Sequence, residues 1–334
     1  MVTTIYYYQN LLSRNPPRGE GNHIMERLVD FRVLIFFAVL AGVAFLVRVI
    51  YGAVKGEGGG AVTAALETMA VAVLGSFVAR SFISIVLAAG NDSTEVGLVA
   101  GWAFFFPVGV IDSIIYLAKG ESVLTRPDVL LWIAAAVGGF SGFMNGFWRI
   151  YDWDGLGVPA FLLDHTWGLS GTGIAGLLHL INFAWANHAD ESFDRRKNNH
   201  RYKSGFALAR RFAFTQGNVM SNLSRDSSDN LWHHENLHVW QNRLFGPFFT
   251  ITYVAWMALM LIPSLLVALI GRHPLGATIM AWCYYNNPWE VWAYSVGGWR
   301  DPFLAWGTVP VAIVAAVFYT GVLVGAGSLV AAVY

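Results

Sequence analysis

The chain has 334 residues, 56% of them hydrophobic and 13% charged, against roughly 45–50% and about 25% in a soluble domain; this excludes disorder and disfavours a soluble enzyme. Twenty-one Lys and Arg balance 21 Asp and Glu, so no global basic field exists to hold nucleic acid by its phosphates. One cysteine, Cys283, excludes an intramolecular disulfide framework and any zinc site built on cysteine pairs, leaving His and carboxylates to hold a metal.

In chain order, residues 1–30 carry Arg14, Arg18, Arg27, a Pro16-Pro17 break, Gly19 and Gly21, and read as a polar tail. No short apolar stretch with a small-residue cleavage site stands there. Apolar runs follow at 33–54, 61–89, 96–117 and 129–147, each close to the about 20 residues that a helix needs to cross a bilayer. They predict a four-helix transmembrane region over 31–150, with the lipid bilayer as partner. In the fourth run Gly138, Gly142 and Gly146 recur every four residues, a stripe along which another backbone can approach closely. Gly321 and Gly325 repeat it in the last run, 303–333, the expected C-terminal transmembrane helix of 301–334. Such stripes serve helix packing inside one chain, or a homo-oligomer or membrane complex. Arg80 and Asp112 lie inside apolar runs, where ionisable groups are costly. Alternating crossings place them in opposite halves of the membrane, so snorkelling is expected in place of pairing.

Residues 156–186 are long enough to span, yet contain Asp164, His165 and His179. Four crossings from a cytoplasmic N-terminus return the chain to the cytoplasm, where the basic segment that follows satisfies the positive-inside rule. A fifth crossing would reverse that, so 151–186 reads as a re-entrant or interfacial hairpin.

The 59 residues 187–245 hold nine of the 21 basic residues, six of the 21 acidic ones and five of the nine histidines. Within this polar island, 187–201 reads as a solvated linker. The alternating, aromatic stretch 202–220 reads as a strand, with a bend or bulge at Gln216-Gly217-Asn218. Residues 225–230 supply N-caps for a helix whose period follows at Leu231, His234, His238 and Gln241. That helix carries His234-Glu235-Asn236-Leu237-His238, an H-E-x-x-H. Residues four apart share a helical face, so both imidazoles can reach one metal ion, while Glu235, displaced by about 100°, can hold a water bound to that ion. A zinc hydrolase also needs a third protein ligand and an open position. Glu290, in Asn287-Pro288-Trp289-Glu290, is the only Glu after the motif; the only other downstream carboxylate side chain, Asp301, directly precedes Pro302.

Taken together, Thr215 to Asn218, His-Glu-x-x-His-Val-x-Gln (His234 to Gln241), Gly246, Tyr253 and Asn-Pro-x-Glu-x-x-Ala (Asn287 to Ala293) resemble the gluzincin zinc metallopeptidases. The likeness is greatest to minimal bacterial members with H-E-x-x-H-x-x-Q followed by N-P-x-E-x-x-A, and it covers about 90 residues of the chain. The resemblance implies that His234, His238 and Glu290 ligate one Zn2+ per chain and that Glu235 is the general base. The chain departs from the family pattern in the Asn236-Leu237 pair and in the long apolar stretch 247–285 between the motif halves. If all three ligands bind one metal, that stretch must go in and come back, with Pro263 and Pro274 as break points of a hairpin of two short helices.

The expected fold is mainly α: a polytopic transmembrane helical bundle with a small α+β zincin-like island, edge strand plus H-E-x-x-H helix, in a metal-binding region spanning 187–300. The expected function is a zinc metallopeptidase of a bacterial-type plasma membrane, with a cytoplasmic island and a peptide or membrane-protein substrate. His233, Tyr294 and Arg300 are near enough in sequence to stabilise an oxyanion. The strand near 206–214 either takes a peptide by edge addition, as gluzincins do, or simply packs the helix. Asp164 and His165 read first as a satisfied buried polar contact, with a supporting role beside the metal as the alternative, and His179 and His188 rank below them. Rival readings are a membrane di-iron hydroxylase or desaturase, for which His165, His179, His188 and His200 are too scattered, and a scaffold with a structural zinc. The 14 tryptophans suit membrane-interface belts.

Overall fold

The computed structural model describes residues 30–185, 195–207, 212–224 and 227–297, with six helical positions between Val317 and Ser328. The tail 1–29, His188, Arg300 and most of the last apolar run lie outside the described residues. Among those described are eleven α-helices, one π-helical segment and a small three-stranded sheet, a mainly α architecture.

Four of the helices are long and apolar enough to cross a membrane: α1 (Phe31–Lys55), α2 (Gly60–Ala89), α5 (Pro127–Trp148) and α9 (Pro247–Gly271). α2 and α5 meet along the glycine stripe. A Cβ on Gly138 would stand 2.5 Å from the Gly75 carbonyl oxygen, and one on Gly142 only 2.4 Å from that of Val71. The stripe is therefore filled within the chain. Gly321 and Gly325 have no described atom within 4 Å of such a Cβ.

The third apolar run is not one helix but two, α3 (Thr94–Phe104) and α4 (Phe106–Lys119), of 11 and 14 residues. Pro107 explains the break: it has no N–H to give the Ala103 carbonyl, and its ring collides with that carbonyl. Arg80 and Asp112 do not snorkel. Both are buried; the Arg80 guanidinium stands 5.2 Å over the Trp132 ring, and the Asp112 carboxylate accepts from the Ser122 hydroxyl and the Val123 and Leu124 N–H groups.

Residues 157–184 form two shorter helices, α6 (Gly157–Asp164) and α7 (Leu169–Ala184), joined by a turn at 165–168. The chain then departs from the expected linker. Asn198, Asn199 and His200 are buried, and Arg196 reaches Glu67 of α2 at 2.8 Å, which Arg149 also meets at 2.6 Å. Two guanidiniums on one carboxylate pin this segment to the ends of α2 and α5.

The sheet has the order β1-β3-β2, from β1 (His200–Arg201), β2 (Phe214–Gln216) and β3 (Val219–Ser221). β1 runs parallel to β3, and β2 antiparallel to it with Thr215 opposite Met220. The punctuation Gln216-Gly217-Asn218 is thus a hairpin reversal and not a bend within one strand. Gly217, with φ +58°, is the first residue of a two-residue loop that favours Gly there.

α8 (Asp229–Phe245) begins where Ser228 accepts from the Leu231 N–H. Pro263 does not break the apolar stretch that follows. α9 runs 25 residues through it, and the chain reverses only at Arg272, left-handed at φ 52°, and Pro274. It returns as α10 (Leu275–Ile279) and a π-helix (Met280–Tyr285), with Trp256 donating to the Trp282 carbonyl at 3.2 Å. The hairpin therefore has one long arm and one short arm. α11 (Pro288–Gly297) follows and packs on α8.

Candidate metal centre

α8 presents His234 and His238 one turn apart, with their Nε2 atoms 3.1 Å from each other. α11 brings the third group. Asn287 accepts from the Trp289 N–H and donates to the Tyr253 carbonyl, Pro288 opens the helix, and Glu290 falls in its first turn. Glu290 Oε2 lies 3.2 Å from His234 Nε2, and Oε1 lies 3.2 Å from His238 Nε2. All three residues are buried, with ligand atoms within 4.8 Å of one another. Among the described residues this is the one group of three or more His, Cys, Asp or Glu placed to hold a metal ion.

The arrangement fits a metal. Ligands about 2.0–2.1 Å from a tetrahedral ion stand about 3.3 Å apart, close to the separations here. Gln241 orients His238: Nδ1 lies 2.7 Å from Gln241 Oε1, an acceptor, so Nδ1 carries a proton and Nε2 is the nitrogen turned toward His234 and Glu290. Gln241 is itself oriented by donating to the Trp289 carbonyl at 3.2 Å. Glu290 Oε2 is buried with no hydrogen-bond donor, whereas Oε1 accepts from the Tyr253 hydroxyl at 2.7 Å. Two imidazoles and a carboxylate form a donor set for a divalent ion such as zinc.

Electrostatically the three groups attract any cation, a proton included. Burial opposes the charged forms of His238 and Glu290, yet their mutual attraction outweighs it. His238 is raised to about 9, chiefly by the Glu290 carboxylate, and Glu290 is held well below the ordinary carboxylate range by the two imidazoles.

Glu235 is buried and accepts a hydrogen bond from the Thr215 hydroxyl. It lines a cavity of about 440 Å³ together with His238, Glu290, Tyr253 and Tyr284. Burial, followed by the charge of Glu290, raises the Tyr284 hydroxyl far above its usual value, so it stays a neutral O–H donor. β2 is one of the two edge strands of the described sheet, β1 being the other. The Met220 carbonyl accepts from Tyr202 N on the β1 side; its partner Thr215 accordingly points N–H and C=O toward the open edge, following the antiparallel alternation.

Of the other expected residues, Tyr294 stands at the centre, its ring 4.4 Å from that of His234, and the rest fall elsewhere. The His233 side chain is exposed against Trp232. Asp164 holds Arg243 through two bonds, at 2.8 and 2.9 Å, and accepts from Tyr151. It thus ties α6 to the far end of the histidine helix. His165 Nδ1 pairs with the Phe161 carbonyl. His179 meets the Tyr202 hydroxyl and His200 meets Asn145; burial lowers His179 to about 3 and His200 well below its usual value, so both are neutral structural groups. Sequence reasoning gave Tyr284, the Thr215–Glu235 bond and the Arg243–Asp164 pair no role. Only Thr215, beside the hairpin glycine, carried a local signal.

No protein-family model matches the sequence, and no curated protein and no solved structure matches it.

Proposed function

We propose that the chain is an integral-membrane zinc metallopeptidase. The observation that carries this reading is the convergence of His234, His238 and Glu290, from two helices, beside Glu235 on the wall of a cavity. Zinc, when bound, supplies Lewis acidity toward a carbonyl and brings the pKa of its water to about 7. Glu235 accepts a proton from the attacking water and returns it to the leaving amine, so the acyl carbon gains OH and the nitrogen gains H. The Thr215 hydroxyl orients the Glu235 carboxylate. The Tyr253 and Tyr284 hydroxyls line the same cavity and are donors for an oxyanion, and Thr215 offers backbone groups to an extended peptide. Nine basic residues in 187–245 support a cytoplasmic face of a bacterial-type plasma membrane.

Metal content and peptide hydrolysis by the purified full chain test the reading. One zinc per chain is expected in wild type and in Glu235→Gln, with turnover lower in the variant by about 10²–10⁴-fold. Zinc without any hydrolysis would favour a structural metal in a membrane scaffold. Two irons per chain would replace the reading with di-iron chemistry.

A further inference from the structure

The cavity beside Glu235 changes character within a few ångströms. Its floor is Glu235, His238 and Glu290, and among the described residues no other charged side chain lines it. The walls are Phe212 and Phe214 on the strand side, and Tyr253, Val254, Met257 and Tyr284 across from them. Its volume of about 440 Å³ suits a small ligand group, within the about 300–1,000 Å³ of known ligand sites. An acidic side chain placed there would lose its water and meet the Glu235 and Glu290 carboxylates, whereas an apolar one would gain by leaving water.

One wall belongs to α9. Tyr253, Val254 and Met257 form a stripe on that helix, which is otherwise largely uncovered: Val254 itself is 58% exposed, and Ile262 further along is 67% exposed. α9 is also among the helices long and apolar enough to cross a membrane, with only 17% of its most apolar window buried. The cavity wall and the apolar outer face of α9 are therefore continuous through Val254. On the opposite side, the open edge of β2 stands ready for an extended backbone whose alternate side chains would turn into the cavity.

We propose that this cavity seats a bulky apolar side chain, aromatic or long aliphatic, next to the scissile bond of a bilayer-anchored polypeptide that reaches the site along α9. The inference rests on the peptidase reading and narrows its substrate class.

The test uses the full chain in phospholipid vesicles with two sets of peptides, one carrying a hydrophobic anchor segment and the other free in solution. Each set places Phe, Ala or Asp at the position to be seated. Anchored Phe peptides should be cut at least tenfold faster than anchored Asp peptides and than free Phe peptides. Met257→Trp, which fills the far end, should shift the preference from Phe toward Ala while zinc content stays at one per chain. Equal cleavage of Phe and Asp, or of anchored and free peptides, overturns this inference and leaves the peptidase reading standing. A second measurement does not depend on turnover: in Glu235→Gln, an anchored peptide with a photoreactive Phe analogue at that position should crosslink to Met257 or Tyr284. Crosslinking there without hydrolysis by wild type supports the seat and overturns the peptidase reading. Crosslinking elsewhere overturns the seat.

Discussion

The α2–α5 contact and helix α8 solve opposite problems. α2 and α5 meet through Gly75, Gly138, Gly142 and Gly146, so closely that a single added methyl would touch backbone. Their interface relies on close packing, with few polar links such as the bond from Ser76 to the Ala135 carbonyl. α8 buries His234, Glu235, His238, Val239, Gln241, Asn242 and Arg243, of which only Val239 is apolar. A helix can bury such a face only if its polar groups find partners. Asn242 bonds the His238 carbonyl, Gln241 bonds His238 and Trp289, and Arg243 bonds Asp164. What is left is the cluster of His234, His238 and Glu290, whose facing lone pairs call for a cation. The difference locates chemistry: glycine makes the α2–α5 seam, whereas the buried polar face of α8 brings His234 and His238 to Glu290.

The largest expected effect comes from breaking the polar side of that comparison. Arg243→Ala leaves Asp164 buried and unpaired, and should cost about 3–5 kcal/mol of stability, read as a loss of folded protein in a detergent thermal melt. A melt unchanged within error would show the pair to be incidental. On the packing side, Gly142→Ala should cost about 1–3 kcal/mol by overpacking, with zinc per folded chain unaltered. If zinc fell in step with stability, the two regions would not be independent.

Gln241→Ala isolates the support of one ligand. Metal affinity should drop about 10–100-fold, read by competition with a chromophoric chelator on the folded protein, while the unpaired His238 and Trp289 groups cost the metal-free protein about 1–3 kcal/mol. The effect of pH is spread over several units. In the absence of metal, the raised His238 contributes stability that is complete below its unfolded value near 6.5 and is lost as pH rises through about 9. The lowered Glu290 contributes stability that is present above its unfolded value near 4.5 and is lost only in stronger acid. Metal must displace the His238 proton, so apparent affinity should rise about tenfold per pH unit from 7 to 9 and then flatten. The gap in melting temperature with and without chelator should widen over that range; a constant gap would remove the proton from the account.

Much of this was legible locally. Ser228 marks the start of α8, Gly217 the hairpin, and Asn287-Pro288 the start of the helix that carries Glu290, because caps, turns and Pro positions are decided by immediate neighbours. The break after Phe104 was legible too, in Pro107. Pro263 misleads because one lost helical bond, that to the Leu259 carbonyl, is a local defect that a helix can absorb, and α9 continues. The pairing of Arg243 with Asp164, 79 positions apart, and the arrival of Tyr284 at the cavity depend on the path of the whole chain, and no short-range pattern encodes them.

That path has a consequence during synthesis. Fifty-two positions separate His238 from Glu290, and between them lies the entire α9 hairpin. A nascent chain that has completed α8 holds two of the three side chains of the candidate centre and no means to close the set. The third arrives only when the long arm has been laid down, the turn at Arg272 made and the short arm brought home. Every unfinished or prematurely ended chain is thus left with an open ligand set, and completion of the centre reports that the hairpin is in place.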